Sequence, residues 1–176
     1  MITADDFKAA FRCHPSGVAL ITADSGGAPV ALTASSVSAV SADPALVMFS
    51  VSVLSSSAPV LRLADTLVVH LLSAKNLDLA QLGAASGIDR FADRALWSRL
   101  PTGEPVFDAA RAWLRVRVLH RLDAGGSTVF VGEVLDARID ADAAAEDGLV
   151  YADRTWHRIG EQSVAVVPQL AGSSSR

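Results

Sequence analysis

A chain of 176 residues that is 51% hydrophobic and only 19% charged is long enough to bury one substantial core and too short to favour two. Its formal net charge of −4 argues against a surface built for nucleic-acid phosphates or an anionic membrane, because both need a basic field, and no run of like charge alters this. The single cysteine, Cys13, excludes an intrachain disulfide and any multi-cysteine metal site, and it reads as a packed small residue rather than a nucleophile.

Asp5, Asp6 and Lys8 stand where a signal peptide needs its apolar centre, and no apolar run is long enough to span a bilayer, so a cytoplasmic protein is expected. Phe7, Ala10 and Phe11 fall at helical spacing behind the two acids, which predicts a short N-terminal helix broken at Pro15-Ser16-Gly17. Val18 to Thr22 reads as a strand, Ala23 to Gly27 as a turn and Pro29 to Leu32 as its antiparallel partner. That second strand runs on through Thr33-Ala34-Ser35-Ser36 to Ser41, alternating hydroxyls with small apolar residues so that one face is lined by compact polar groups.

After a turn at Ser41-Ala42-Asp43-Pro44, Ala45 to Val53 is an apolar run of buried-strand length. Ser55-Ser56-Ser57 follows, with Ser57 read as the N-cap of a helix that carries Pro59 in its first turn. Two hydroxyl clusters therefore bracket one rigid strand, which is what a site for a polar, planar ligand with a phosphate tail requires.

Leu67 to Leu72 is a further strand, and Lys75 to Leu82 reads as a helix terminated by Gly83. Ala84 to Pro105, with Asp89-Arg90-Phe91 and Trp97, is expected to be a long excursion over the surface. Leu114, Val116 and Val118 alternate with Trp113, Arg115 and Arg117, and Thr128 to Leu135 returns beyond Asp123-Ala124-Gly125-Gly126, which predicts a long hairpin. Short strands at Leu149 to Tyr151 and Thr155 to His157 complete one domain over residues 1–160, and residues 161–176 are expected to form a poorly ordered tail. Many strands, few short helices and no βαβ alternation indicate a mainly β fold, a Greek-key barrel with helical decoration.

The usual catalytic sets are missing. Gly-x-Ser-x-Gly, His-Glu-x-x-His, a Walker loop and the dinucleotide fingerprint have no match, and His14, His70, His120 and His157 lie at no metal-ligand spacing, so no metal site is expected.

The segments PSGVALIT, PVALTASSVSAVSADPALVMFSVS, SSSAPVLR, DRFA, AWLRVRVLHRLDAGGSTVFVGEV and YADRTWHRIG, in that order, resemble the short-chain flavin reductases, the FMN-binding split-barrel proteins. The resemblance extends over roughly Phe7 to Gly160. It implies a six-stranded split β-barrel that forms a homodimer, binds FMN (or FAD) near the subunit interface and reduces it with NADH or NADPH. Relatives often hand the reduced flavin to a partner flavin-dependent monooxygenase. Such an enzyme needs no nucleophile or triad, because hydride transfer resides in the two cofactors and the protein supplies orientation and preorganised dipoles.

By this resemblance Thr33, Ala34, Ser35 and Ser36 lie along the isoalloxazine, and Ser50 and Val51 stand beside the ring and ribityl chain. Ser55, Ser56 and Ser57 form the phosphate cluster, and Arg90 and Phe91 close over the cofactor. Trp156 is the candidate for nicotinamide stacking, and His157, the one catalytic candidate, would orient the nicotinamide. Valine at Ser35 and Ser36 is expected to weaken flavin binding and spare the strand.

Three positions depart from the family pattern. Gly125-Gly126-Ser127 replaces Gly-Asp-His before the last long strand, Ser56 stands where many relatives have a basic residue, and His70 stands where asparagine is frequent. The first of these keeps two alternatives open: a flavin-binding or carrier protein of the same fold with little reductase activity, and a same-fold oxidase with tightly held flavin.

Overall fold

A computed structural model describes residues 1–141 and 146–165; the expected tail lies mostly outside these, and only Glu161–Ser163, a single 3-10 turn, is defined within it. In chain order the described residues form helix α1 (Ala4–Arg12), strands β1 (Ser16–Gly17), β2 (Ala19–Asp24), β3 (Pro29–Ala34), β4 (Ser38–Ala42) and β5 (Ala45–Ser52), and helix α2 (Ala58–Leu63). Strand β6 (Thr66–Leu71) and helix α3 (Leu77–Ala84) follow, then strands β7 (Ser98–Arg99), β8 (Pro105–Val106), β9 (Ala112–Ala124), β10 (Ser127–Ile139), β11 (Gly148–Ala152) and β12 (Thr155–Ile159).

Seven strands build one antiparallel sheet in the order β3-β2-β6-β9-β10-β5-β4. The β9–β10 hairpin turns through Gly125-Gly126, with Gly125 at φ 61°, and inserts between β5 and β6, which gives the expected Greek-key order. The β2–β3 hairpin pairs Ala19 with Ala34 through Asp24 with Pro29, also as the alternation predicts.

The single strand expected from Pro29 to Ser41 is two strands. β3 stops at Ala34, β4 starts at Ser38, and the two lie at opposite edges of the sheet, so residues 35–37 must cross the opening between those edges. The Ser36 hydroxyl ties this crossing segment to β5: it accepts from the Ser50 N–H at 3.0 Å and donates to the Ser50 carbonyl at 3.1 Å, taking the place of ladder bonds that β4 would have made had it continued. β5 is also not buried on both faces. Val47, Phe49 and Val51 point inward while Met48 is 38% exposed, because β5 has the barrel core on one side only.

Phe49 and Phe130, cross-strand neighbours stacked with centroids 5.0 Å apart, centre the barrel core with Ile21, Leu61, Leu67, Val69 and Val116. β2 is buried on both faces, which its unbroken apolar run anticipates. Its outer face carries Leu20 into a second core with Leu79, Ala80, Phe91, Trp97, Phe107 and Leu149. The expected surface excursion therefore inserts two aromatic anchors: Phe91 and Trp97 meet edge to face at 4.9 Å, and the Trp97 indole N–H donates to the Phe91 carbonyl. Glu104 pins the end of that segment, accepting from Thr66 at 2.5 Å, from Arg115 at 2.7 Å and from Thr102. Burial pushes its carboxyl up, but those bonds outweigh burial and hold it below the ordinary value.

His70 is fully buried on β6. Its Nε2 accepts from the Phe107 N–H at 3.0 Å, so the proton resides on Nδ1, which donates to the Leu20 carbonyl at 2.9 Å. Burial pulls the imidazole from 6.5 down to about 4. An unfolded chain takes up this proton near its ordinary pKa and the folded chain only near the lower one, so the contribution to stability is complete above pH ~6.5 and is lost as pH falls through ~4, by about 3 kcal/mol. Urea midpoints measured from pH 7 to pH 4 are expected to decline, and the decline to flatten in His70→Asn, which does not titrate; an equally steep profile in that variant would exclude His70 as its source.

Candidate functional site

The opening crossed by residues 35–37 is the wall of a groove of about 640 Å³. It brings together Thr33, Ala34, Ser35, Ser36, Ser50, Val51, Ser55, Ser56 and Arg90, residues drawn from β3, β5, the start of α2 and the segment after α3. A smaller hollow joins Ser56 to Arg90 at one end.

The hydroxyls divide into two groups. Thr33 Oγ1 donates to the Ala80 carbonyl at 2.7 Å and so ties β3 to α3, and Ser36 is engaged with Ser50. Ser57 is buried, donates to the Ala31 carbonyl at 3.1 Å, and lies outside the groove lining. It makes no side-chain cap: its backbone is already helical, at φ −85° and ψ −16°, so its hydroxyl is turned to the sheet beneath instead of to the helix end. Among the described residues the hydroxyls of Ser35, Ser50 and Ser56 make no side-chain hydrogen bond to the protein, and all three line the groove.

Arg90 supplies a cation near the Ser55-Ser56 end. Its Nη2 donates to the Ala85 carbonyl at 2.5 Å, while its Nε is buried without a protein partner. A buried donor without an acceptor costs free energy, and an anionic oxygen brought within reach would satisfy it. Phe91 faces the other way, into the second core against Trp97 and Phe107, and lines no part of the groove.

The sequence reading missed Gly83, Ala84, Ser86 and Gly87, which line the opposite wall. Gly83 was the available signal, but it is not the helix stop expected from its position. It lies inside α3, where a Cβ would come within 2.3 Å of Leu20 Cδ1, 2.4 Å of Thr33 Oγ1 and 2.9 Å of the Thr33 backbone nitrogen. Close approach of α3 to β3 demands glycine at this position.

A niche of about 190 Å³ opens from the groove through Thr33, Ser35 and Ala84, which line both, and is completed by Val18, Tyr151 and Trp156. Tyr151 and Trp156 are cross-strand partners with centroids 4.7 Å apart. His157 is exposed, its Nε2 lies 3.2 Å from the Ala152 carbonyl, and it lines neither groove nor niche. Successive strand residues point to opposite faces, so with Trp156 turned to the niche His157 must turn away from it. Gly125-Gly126 is the β9–β10 turn and Ser127, the first residue of β10, lies opposite Ser52 of β5 in the seven-stranded sheet, whereas Trp156 stands in the separate β1-β11-β12 sheet.

A family profile described as "Flavin reductase like domain" matches residues 11–160. Proteins named NADH:FMN oxidoreductase from Rhodococcus qingshengii and Rhodococcus erythropolis are each 42% identical over 158 residues, covering 89% of this chain and 82% of theirs. The crystal structure of a flavin reductase domain protein from Arthrobacter sp. FB24 superposes with a TM-score of 0.85 at 28% identity, over 96% of this chain and 100% of that one. That of BorF, the flavin reductase component of a bacterial two-component tryptophan halogenase, superposes with a TM-score of 0.80 at 28% identity, over 90% and 99%.

The two adjacent serines separate by experiment. Ser36→Val removes both bonds to Ser50 and leaves that backbone unpaired, so it is expected to lower stability by about 1–3 kcal/mol in urea unfolding, where Ser35→Val leaves the midpoint unchanged. Gly83→Ala is expected to cost ~1–3 kcal/mol by overpacking and to weaken ligand binding in the groove, read by fluorescence quenching of added flavin. An alanine variant of native stability would show that α3 can retreat from β3.

Proposed function

The chain belongs to the flavin reductase like domain family and is an NAD(P)H:flavin oxidoreductase, and from that premise we propose that it holds FMN in the Ser35–Arg90 groove and draws the hydride from NADH. The observation that carries this proposal is the joining of unpaired hydroxyls along one wall with the buried, unpartnered Arg90 Nε near Ser56. A planar polar ligand with an anionic tail matches that donor set.

Bound there, a flavin would supply the redox chemistry by taking up a hydride from the reduced nicotinamide, and the part left to the protein would be to bind the two and orient them. Ser35 and Ser50 are proposed to present hydroxyls to the polar edge of the ring, where donors stabilise the negative charge that reduction brings. Thr33 and Ser36 act as positioning residues that fix the wall. Ser55, Ser56 and Arg90 are proposed to hold the phosphate, with Arg90 providing the positive charge that the serine cluster lacks. The niche beside Trp156 is proposed to receive the nicotinamide, which puts donor and acceptor in adjoining hollows as hydride transfer requires. His157, turned away from the niche, is left without a part in this arrangement.

The proposal extends to a homodimer. The outer face that carries Ser50 continues as the rows Ser50-Val129-Leu122 and Met48-Val131-His120, with Leu122 65% exposed. An apolar sheet face of this kind is covered in a stable protein, and covering it with a second copy would border the flavin groove. Kinship with BorF supports a further step, transfer of reduced flavin to a flavin-dependent monooxygenase. The competing reading, a flavin carrier with little turnover, retains the Gly125-Gly126-Ser127 departure in its favour.

Mixing the protein with FMN and NADH is expected to consume the reduced-nicotinamide absorbance; no consumption above a protein-free control, with either NADH or NADPH, would reject the reductase and favour the carrier. Arg90→Met is expected to weaken FMN binding about tenfold while leaving riboflavin, which has no phosphate, nearly unaffected. Equal losses for both flavins would remove Arg90 from the phosphate end.

A further inference from the structure

We propose that His70 is a positioning residue for flavin binding: it holds Phe107, and through Phe107 and Phe91 it sets the Arg90 cation at the Ser56 end of the groove. The ligand rests on the flavin reading above; the link between the two residues rests on hydrogen bonds and packing.

The way the Arg90 segment is held creates the need for such a link. Among the described residues, every hydrogen bond made by residues 89–97 stays within residues 85–97: Arg90 donates to the Ala85 carbonyl, the Phe91 N–H to Asp89 and the Trp97 indole to the Phe91 carbonyl. None of these bonds ties the stretch to the sheet, so its seat is fixed by the rings it buries. Phe91 packs on Phe107 with centroids 5.5 Å apart, and both rings belong to the second core.

Phe107, in contrast, is bonded to the sheet. Its N–H donates to His70 Nε2 at 3.0 Å, and the two rings meet edge to face at 6.0 Å. His70 is anchored in turn by Nδ1, which donates to the Leu20 carbonyl of β2 at 2.9 Å. One imidazole on β6 therefore joins β2 to Phe107. Leu20, His70 and Phe107 are all fully buried, so a bond lost here is not replaced by one to water.

Two departures from the family pattern then belong together. Ser56 leaves the serine cluster without a basic residue, and among the described residues Arg90 is the only charged side chain lining the groove. His70 replaces asparagine, whose amide extends as far as Nδ1 but not as far as Nε2, so the bond to Phe107 is one that asparagine cannot make from this position. The cation on which the phosphate end relies is the one that this added bond steadies.

Two amides separate the two halves of the imidazole. His70→Asn keeps a donor for the Leu20 carbonyl and drops the acceptor for Phe107, whereas His70→Gln, whose amide oxygen extends as far as Nε2, keeps that acceptor. At pH 7, His70→Asn is expected to weaken FMN about fivefold by fluorescence quenching and to leave riboflavin, which has no phosphate, nearly unaffected. It is also expected to speed hydrogen exchange at the Phe91 amide and the Trp97 indole N–H about tenfold. His70→Gln should match wild type in both measurements. In an Arg90→Met background His70→Asn should weaken FMN no further, because the residue it acts through is gone. Phe107→Leu keeps the backbone bond and removes the ring that Phe91 packs on; it should lower FMN against riboflavin in the same way, and it carries the test where His70→Asn does not fold.

An unchanged ratio of FMN to riboflavin affinity in His70→Asn and Phe107→Leu, in a wild type that prefers FMN, would overturn the proposal and leave His70 a core residue. Equal losses of FMN in the Asn and Gln variants would also overturn it, since the acceptor for Phe107 would then not be what matters. Wild-type protein that binds FMN and riboflavin equally would reject the phosphate role given to Arg90, while faster exchange in His70→Asn and not in His70→Gln would still uphold the hold of His70 on the segment.

Discussion

The wall of the groove is set by the pair of hydrogen bonds between the Ser36 hydroxyl and the Ser50 backbone. A seven-stranded sheet rolled so that its two edges derive from one stretch of chain has to break that stretch where it crosses from edge to edge. The break exposes backbone that no neighbouring strand can satisfy. A serine answers this because its hydroxyl both donates and accepts, standing in for a ladder pair while occupying little space. What the ladder would have filled is left open, and that opening is the groove.

From this constraint follows the division of labour among the small polar residues. Those nearest the neighbouring elements are used by the fold: Thr33 holds α3, Ser36 closes the sheet and Ser57 anchors α2 to β3. Those one position away, Ser35 and Ser56, line the groove with hydroxyls that bond to none of the described residues. These serines lie outside the strands, and the partner each hydroxyl reaches is what separates neighbours: Ser36 bonds to Ser50 and Ser57 to Ala31. A turn parts Arg90, which lines the groove, from Phe91, which packs in the second core, and alternation along β12 parts Trp156, which lines the niche, from exposed His157.

Electrostatics complete the arrangement. The serine cluster before α2 has no basic residue of its own, and the positive charge near it comes from Arg90, some thirty residues later, carried there by a segment that Phe91 and Trp97 nail into the second core. Burial of aromatic rings in an apparently irregular segment is thus the means by which a cation is set at a defined place. Glu104, with Thr66, Thr102 and Arg115, fixes the other end of the same segment.

Residues 33–36 and 55–57 stand out in the sequence as hydroxyl clusters around an apolar run, and the two main hairpins stand out by period two and by Gly-rich turns, because these features are written in neighbouring residues. The resemblance of ordered motifs added the ligand class. Local pattern could not separate Ser56 from Ser57 or Ser35 from Ser36, nor reveal that Gly83 admits a strand instead of ending a helix, nor that the segment around Trp97 is core. Each of these depends on contacts between residues distant in the chain: Ser57 with Ala31, Ser36 with Ser50, Gly83 with Leu20 and Thr33, Arg90 with the end of the groove. The sequence by itself determined which chemistry is on offer, because side-chain type and strand alternation are local properties. Only the tertiary structure decided which hydroxyls are spent on the fold and which are left for a ligand, because a hydrogen bond goes to whichever partner the packing brings within about 3 Å.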